Sequence, residues 1–466
     1  MIKDEGSSSA ASSLLQLLPQ LPLSPGLGLG SPVPWLREPR SEERGLYLIK
    51  LLVSCVNHIA NRDLENANIV LEQITHYVSP DGDSMQRIVA YFSKGLADRV
   101  IKGWTGLYKA LNSTKKASVA EGILVQRLFF ELCPFLKLSY LVTNQAIFEA
   151  MEGEKMVHII DLNSSEPAQM IDLLQTLSAR PEGPPHLKIT GVHKQREVLE
   201  QMSLRLTEEA EKLDIPFQFH PIVSKLENLD IESLRVKTGE ALAVSSVLQL
   251  HTLLASDEDR TNSPLMHARL QKLSLANHRP LKEMLGKDPM SLLRRSPDSA
   301  LSPLTLSDTP KMGSFLSALR NLSPKVMVIT EQESNNNGFT LMERISEALF
   351  FYAALFDCLE STVPSASLER QKVEEMVFGE EIKNIIACEG AERTERHEKL
   401  EKWILRLELA GFGRVALSYQ GMMQATRLLR QSHVFSGYKL REENGCLIIC
   451  WQERPLFSVS AWRFRR

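Results

Sequence analysis

Long apolar runs are missing from this chain: nowhere in its 466 residues does a stretch reach the ~18 residues a membrane span needs. The start of the chain, mixed in charge and rich in serine, lacks the basic region and apolar core of a secretory signal. Cysteine is sparse and scattered, at Cys55, Cys133, Cys358, Cys388, Cys446 and Cys450. The one close pair, Cys446 and Cys450, has no histidine partner at zinc-finger spacing, which leaves reduced, mostly buried thiols and an intracellular compartment as the expectation. Charge of one sign is lacking as well. A formal net charge of -3 gives no global pull toward nucleic acid. No Ser-His-Asp set, HExxH, Walker lysine loop or CxxC pair is recognisable, and no zinc-finger spacing, basic-zipper region or helix-turn-helix. Catalysis and direct base reading are therefore without a motif.

What is there begins at Met156–Leu162, MVHIIDL. An apolar run of strand formers ends in an acid, as in a parallel strand covered on both faces. Asn163, Ser164, Ser165, Glu166 and Pro167 break the pattern, and a helix is expected from Ala168. Asp161 thus falls at the carboxyl end of a strand, where open α/β sheets bind ligands. A dinucleotide or adenosyl cofactor needs glycines in the following loop for close backbone approach, yet none lies between Gly153 and Gly183. His158 and Asp161 stand three apart in a strand and point to opposite faces, so they make no catalytic pair. His158 reads as a hydrogen-bonded core histidine and Asp161 as a cap or pairing group at the strand end.

Strands and helices alternate after residue 150. Expected strands are Met156–Leu162, Leu187–Val192, Phe217–Val223, Ala241–Leu248 and Val326–Glu331, with a helix between the second and third carrying Val198, Met202, Leu206, Ala210 and Leu213 on one face. Val415–Ser418, Gly437–Arg441 and Cys446–Gln452 read as short strands, with a turn at Glu443–Gly445 that signals an antiparallel hairpin. The fold expected is α/β, a Rossmann-like, class I methyltransferase-like, mostly parallel sheet with a C-terminal antiparallel hairpin. An N-terminal α-helical cap is expected over 41–150, where Leu46, Ile49, Val53, Val56 and Ala60 make one apolar stripe, and the α/β core over 151–466. Residues 1–40, rich in Ser, Gly, Pro and Leu, read as disordered; their Gly26, Gly28, Gly30 alternation follows no strand and is not a phosphate loop. A flexible insert is expected at 256–312, with Ser-Pro pairs at Ser263, Ser296 and Ser302 and a further one at Ser323 that phosphate would charge.

Weaker patterns remain. LxxLL occurs at Leu14–Leu18, Leu48–Leu52 and Leu250–Leu254; on a helix Leu250, Leu253 and Leu254 share one face and form a candidate docking motif, with core packing as the plainer reading. Glu392, Glu395 and Glu398 precede Arg396, Lys399 and Lys402 at i,i+4, which reads as a charged helix surface with His397 solvated on it.

Taken together, the residues resemble the GRAS proteins of plants, from about residue 41 to the C-terminus. VHIID stands intact as Val157, His158, Ile159, Ile160 and Asp161, flanked by leucine-rich helical stretches. The family's PFYRE region corresponds to Pro324, Phe351, Tyr352 and Phe378–Ile382, then Asn384–Gly390, Arg396 and Glu398. Its SAW region corresponds to Trp451, Arg454–Leu456 and Ser460, Ala461, Trp462 and Arg463. Ser165–Gln169 and Arg180–His186 point to a narrower group within it. Two departures fall in the loop after VHIID, where Asn163 and Gln169-Met170 replace an Asp and a Gln-Trp pair. The resemblance implies a nuclear transcriptional regulator, not an enzyme, with no cofactor. It implies partners among other GRAS proteins, DELLA repressors included, and indeterminate-domain zinc-finger factors that supply the DNA contacts. For the narrower group it implies gibberellin response and root development. The alternative left by the fold is a small-molecule binder of the S-adenosylmethionine kind, or a methyltransferase relic.

Overall fold

A computed structural model describes residues 41–113, 118–260, 310–364, 366–431 and 435–464. Residues 1–40, with Leu14–Leu18 and the Gly26–Gly30 alternation, and most of the 256–312 insert, with Ser263, Ser296 and Ser302, lie outside the described residues.

Among the described residues, six helices precede the first strand: α1 (Ser41–Ala60), α2 (Leu64–Thr75), α3 (Ser84–Lys102), α4 (Thr105–Asn112), α5 (Val119–Leu132) and α6 (Pro134–Ala150). Their starts are chemically marked. Asp83 and Gln86 form a reciprocal capping box on α3, Asp63 and Ser118 cap α2 and α5, and Pro134 opens α6 at its first turn. The buried face of α1 is Leu48, Ile49, Leu51, Leu52, Cys55 and Val56. This face is rotated from the expected stripe: Leu46 and Val53 are half-buried and Ala60 is exposed. The reason is packing on several sides, since α1 contacts α2, α3 and α10 (Leu341–Thr362). The Leu48–Leu52 pattern is consequently core. The helical layer is built from two stretches of chain, because α3 packs most on α12 (Glu380–Ala387), and on α10 as well as on α1.

The sheet begins with β1 (Met156–Asp161), followed by α7 (Ala168–Ser178), β2 (His186–His193), α8 (Arg196–Lys212), β3 (Phe217–Val223), β4 (Ala241–Val247), α9 (Pro310–Asn321) and β5 (Val326–Gln332). These strands pair in parallel in the order β3-β2-β1-β4-β5. Each expected strand is present with its ends moved by no more than a residue. β4 and β5 are buried at every position, as a strand covered on both faces must be. On α8, Val198, Met202, Leu206 and Ala210 are buried as expected.

The C-terminal part differs from expectation in one important respect. After α11 (Leu368–Val373), α12 and α13 (Leu400–Leu409) come β6 (Phe412–Val415), α14 (Tyr419–Gln431), β7 (Tyr438–Glu443), β8 (Cys446–Trp451) and β9 (Arg454–Phe464). The hairpin is β7–β8, turning through Asn444 and Gly445, both at positive φ. It does not close the parallel sheet directly. That role falls to the 11-residue β9, which pairs antiparallel with β5 on one side and with β8 and β6 on the other. The strand expected at Val415–Ser418 lies three residues earlier. Trp462 is thus on an inner strand, fully buried, donating its indole N–H to Ser460 Oγ at 2.9 Å.

Two large cores and a small third one, around Leu400, Cys446, Ile448 and Cys450, follow from this topology among the described residues. One face of the sheet, with Val157, Ile159, Ala243 and Val328, packs on the helical layer. The other, with Ile160, Val244, Ile329 and Trp462, packs on Leu316, Leu319, Trp403 and Leu407.

Candidate functional site

At the end of β1 the loop folds back instead of opening. Asp161 is buried; it accepts from Ser164 Oγ at 2.7 Å and from the Asn163 amide at 3.1 Å. The Ser164 amide donates to the Val192 carbonyl of β2, while Asn163 Nδ2 donates to the Val247 carbonyl of β4. Gly191, opposite Asp161 on β2, leaves room for this: a Cβ there would stand 2.6 Å from Ser164 Oγ. The glycine that a cofactor loop would place after β1 is instead on β2, where it admits a serine. Burial pushes the Asp161 carboxyl up to about 6, against the pull of those two donors. Gln169, one of the two departures noted above, is buried and donates to Ser245 Oγ on β4 at 3.0 Å.

On the same strand His158 is fully buried, its Nδ1 2.8 Å from Glu240 Oε2 and its Nε2 2.8 Å from Thr190 Oγ1. A neutral ring that donates to the carboxylate and accepts from the hydroxyl satisfies both contacts. Burial, with Lys188 nearby, holds the imidazole down at about 4 although Glu240 opposes it.

The polar cleft lies at the carboxyl ends of the parallel strands, bordered by Leu162, Asn163 and Ser165 of the loop after β1 as well. It has a volume of about 520 Å³, and Lys194 and Lys225 stand on one side of it with Glu392, Glu395 and His397 on another. Its floor is a cluster of two histidines and two glutamates. His251, just after β4, places Nδ1 2.8 Å from Glu331 Oε2, at the end of β5, and Nε2 3.1 Å from Glu395 Oε2. His397 places Nε2 3.1 Å from the same Glu395 oxygen, and the two imidazole rings lie 3.9 Å apart. Glu331 also accepts the Leu250 and His251 amides. Burial alone would discharge His251, but the two carboxylates win and raise it to about 10. The reciprocal effect lowers Glu331 to about 2 and holds Glu395 well below the carboxylate range, both against burial. Beside them Glu381, raised by burial and by the Glu395 charge, accepts from Tyr352 Oη at 2.7 Å.

The segment that supplies Glu395 and His397 overturns the reading of a charged helix surface. Residues 393–399 are irregular, and Arg393, Arg396, His397 and Glu398 are all buried. His397 is 1% exposed, not solvated. Consecutive side chains alternate in direction. Glu395 and His397 face the cleft, while Arg396 donates to Asn337 Oδ1 and Glu398 accepts from Asn337 and from both Nε and Nη2 of Arg406. The i,i+4 spacing misleads here because charges that seek buried partners on other elements repeat at the same interval as helix surface pairs.

The motif residues have structural placements. Val157, His158, Ile159, Ile160, Asp161, Pro324, Phe351, Tyr352, Arg396, Glu398, Ser460, Ala461 and Trp462 are all buried. Only Tyr352, through Glu381, and Arg396 and Glu398, through the segment they anchor, bear on the cleft floor. Leu250, Leu253 and Leu254 sit in the second core at 0%, 2% and 3% exposure. The candidate docking motif is therefore corrected: its leucines face inward and are held by packing. Sequence reasoning missed His251, Glu331 and Glu395 as a group. One signal was available, since β5, like β1, ends an apolar run in an acid.

A covered, mostly parallel sheet with a polar cleft at its carboxyl ends and a separate helical layer defines the class, a Rossmann-like α/β protein. The GRAS domain family model matches residues 48–463, and the chain belongs to that family. It is 59% identical to Scarecrow-like protein 3 of Arabidopsis thaliana over 100% of this chain and 99% of that protein. Two more distant relatives are each 32% identical. DELLA protein GAI1 of Vitis vinifera matches over 91% of this chain and 62% of its own, and Scarecrow-like transcription factor PAT1 of Arabidopsis thaliana over 88% and 75%. The crystal structure of SCL7 from Oryza sativa matches with a TM-score of 0.68 at 28% identity, covering 89% of this chain and 99% of that one. Among the described residues, no helix is long and apolar enough to cross a membrane.

Proposed function

We propose that this protein is a nuclear transcriptional regulator that acts as a coregulator, through DNA-bound factors of the indeterminate-domain zinc-finger type and through other GRAS proteins, DELLA repressors included. Its setting in this reading is gibberellin response and root development. The observation that carries it is the end-to-end likeness to Scarecrow-like protein 3, within a family where another relative is named a transcription factor. The chain's chemistry is in keeping with this. A net charge of -3 and the missing base-reading motifs favour protein contacts over DNA contacts. A pull-down of the purified chain against a DELLA protein and an indeterminate-domain protein tests the reading. Retention of either supports it, and failure with both refutes it.

A second reading, a small-molecule binder of the S-adenosylmethionine kind, rests on the cleft of about 520 Å³ at the strand ends. Against it stands the loop after β1, whose Asn163 and Ser164 are bonded to β4 and β2 across the place where such a cofactor would approach. Calorimetric titration with S-adenosylmethionine separates the two: micromolar binding supports the second reading, and no heat retires it.

A further inference from the structure

The cleft floor has a donor set that a charge network does not require. His251 Nε2 and His397 Nε2 converge on one oxygen of Glu395, each at 3.1 Å, and the three ligand atoms lie within 4.8 Å of one another. Two imidazole nitrogens and one carboxylate oxygen are the ligands of a borderline divalent ion such as zinc, not of calcium or magnesium, which take oxygen. Behind them stands the support such sites use. Glu331 lies 2.8 Å from His251 Nδ1 and 4.0 Å from His397 Nδ1, so one buried carboxylate backs both rings and turns their Nε2 atoms toward the cleft. His397 Nδ1 is itself buried without a hydrogen-bond partner and faces Glu331 Oε2 across that 4.0 Å.

We propose that His251, Glu395 and His397 bind a single zinc-class ion, with Glu331 orienting the two imidazoles from behind. All three ligands line the cleft, so the remaining coordination position faces solvent space and takes a water or an oxygen donor of a small molecule. The ion replaces proton-mediated contacts with coordination. It also ties the segment after β4 to the segment 395–397, which the His251–Glu395 contact already joins. The site is independent of the partner-binding reading and stands or falls separately.

The test uses the purified full chain, stripped with chelator and titrated with Zn²⁺ and, in parallel, Co²⁺. The expected result is one equivalent bound, a rise in melting temperature with metal, and a cobalt spectrum of nitrogen and oxygen ligation without thiolate charge transfer. His397→Gln and His251→Gln should each abolish the bound equivalent, and Glu331→Gln should weaken it about 10–100-fold. His193→Gln, elsewhere on the cleft wall, serves as the control that leaves binding unchanged. No binding by the unaltered chain overturns the proposal, as does a thiolate spectrum or binding undiminished in both histidine variants. Should a variant fail to fold, the cobalt spectrum of the unaltered chain decides.

Discussion

Two parallel strands of this sheet carry buried acids at their carboxyl ends, and the two ends behave in opposite ways. Asp161 closes β1 among neutral donors and is pushed up to about 6; Glu331 closes β5 against imidazole and is pulled down to about 2. Burial is near complete in both, at 4% and 1% exposure, so burial does not separate them. The charge of the partner does. Neutral partners make the β1 end an uncharged structural joint, whereas charged ones make the β5 end part of an ionic cluster, and both ends border the same cleft.

Removing the charge at the second site should break the comparison hardest. Glu331→Gln strips the carboxylate that faces His251 and the Leu250 and His251 amides, and loss of one member of a buried ion pair costs about 3–5 kcal/mol. A urea unfolding midpoint reads it, and a loss below 1 kcal/mol would mean the pair is not formed. Next in size is Leu254→Ala, which empties part of the core beneath that segment and should cost about 2–5 kcal/mol. A neutral effect on the same midpoint would return Leu254 to the surface and revive the docking motif.

The β1 end should respond more mildly. Asp161→Ala leaves Ser164 and the Asn163 amide without their acceptor, at about 1–3 kcal/mol, while Asp161→Asn keeps an acceptor and costs less. Partner retention, measured well below the melting temperature, should be unchanged in both. Lost retention with unaltered melting would make Asp161 a recognition residue.

The smallest effect is one of slope. His158 titrates near 4 when folded and near 6.5 when unfolded, so across that window the unfolded chain binds more protons and stability falls as pH falls. Asp161 has its folded value raised, binds more protons in the folded state, and works in the opposite direction between about 4 and 6. Asp161→Asn should therefore steepen the loss of stability on acidification. A shallower profile would reverse the Asp161 shift.

Much of this architecture was legible before the structure. Apolar runs mark β1, β4 and β5 because a covered parallel strand admits little else, while β3, at the sheet edge and nowhere fully buried, is marked by alternation instead. β9 was hidden, since Pro455, Ser458 and Ser460 interrupt its pattern and pairing on both sides tolerates what a strand taken alone would not. The cleft floor was hidden for a different reason. His251 lies inside a leucine pattern, and Glu395 and His397 lie inside a run spaced like a helix surface. Their meaning depends on being brought together from positions 251, 331 and 395–397, which no local window contains.

In the proposed role this chain reaches DNA through a partner. A gel shift on a target promoter fragment tests it most directly, comparing this protein alone, an indeterminate-domain zinc-finger protein alone, and both together at near-physiological salt. No shift with this protein alone and a supershift with both are expected. A sequence-specific shift by this protein alone would contradict it.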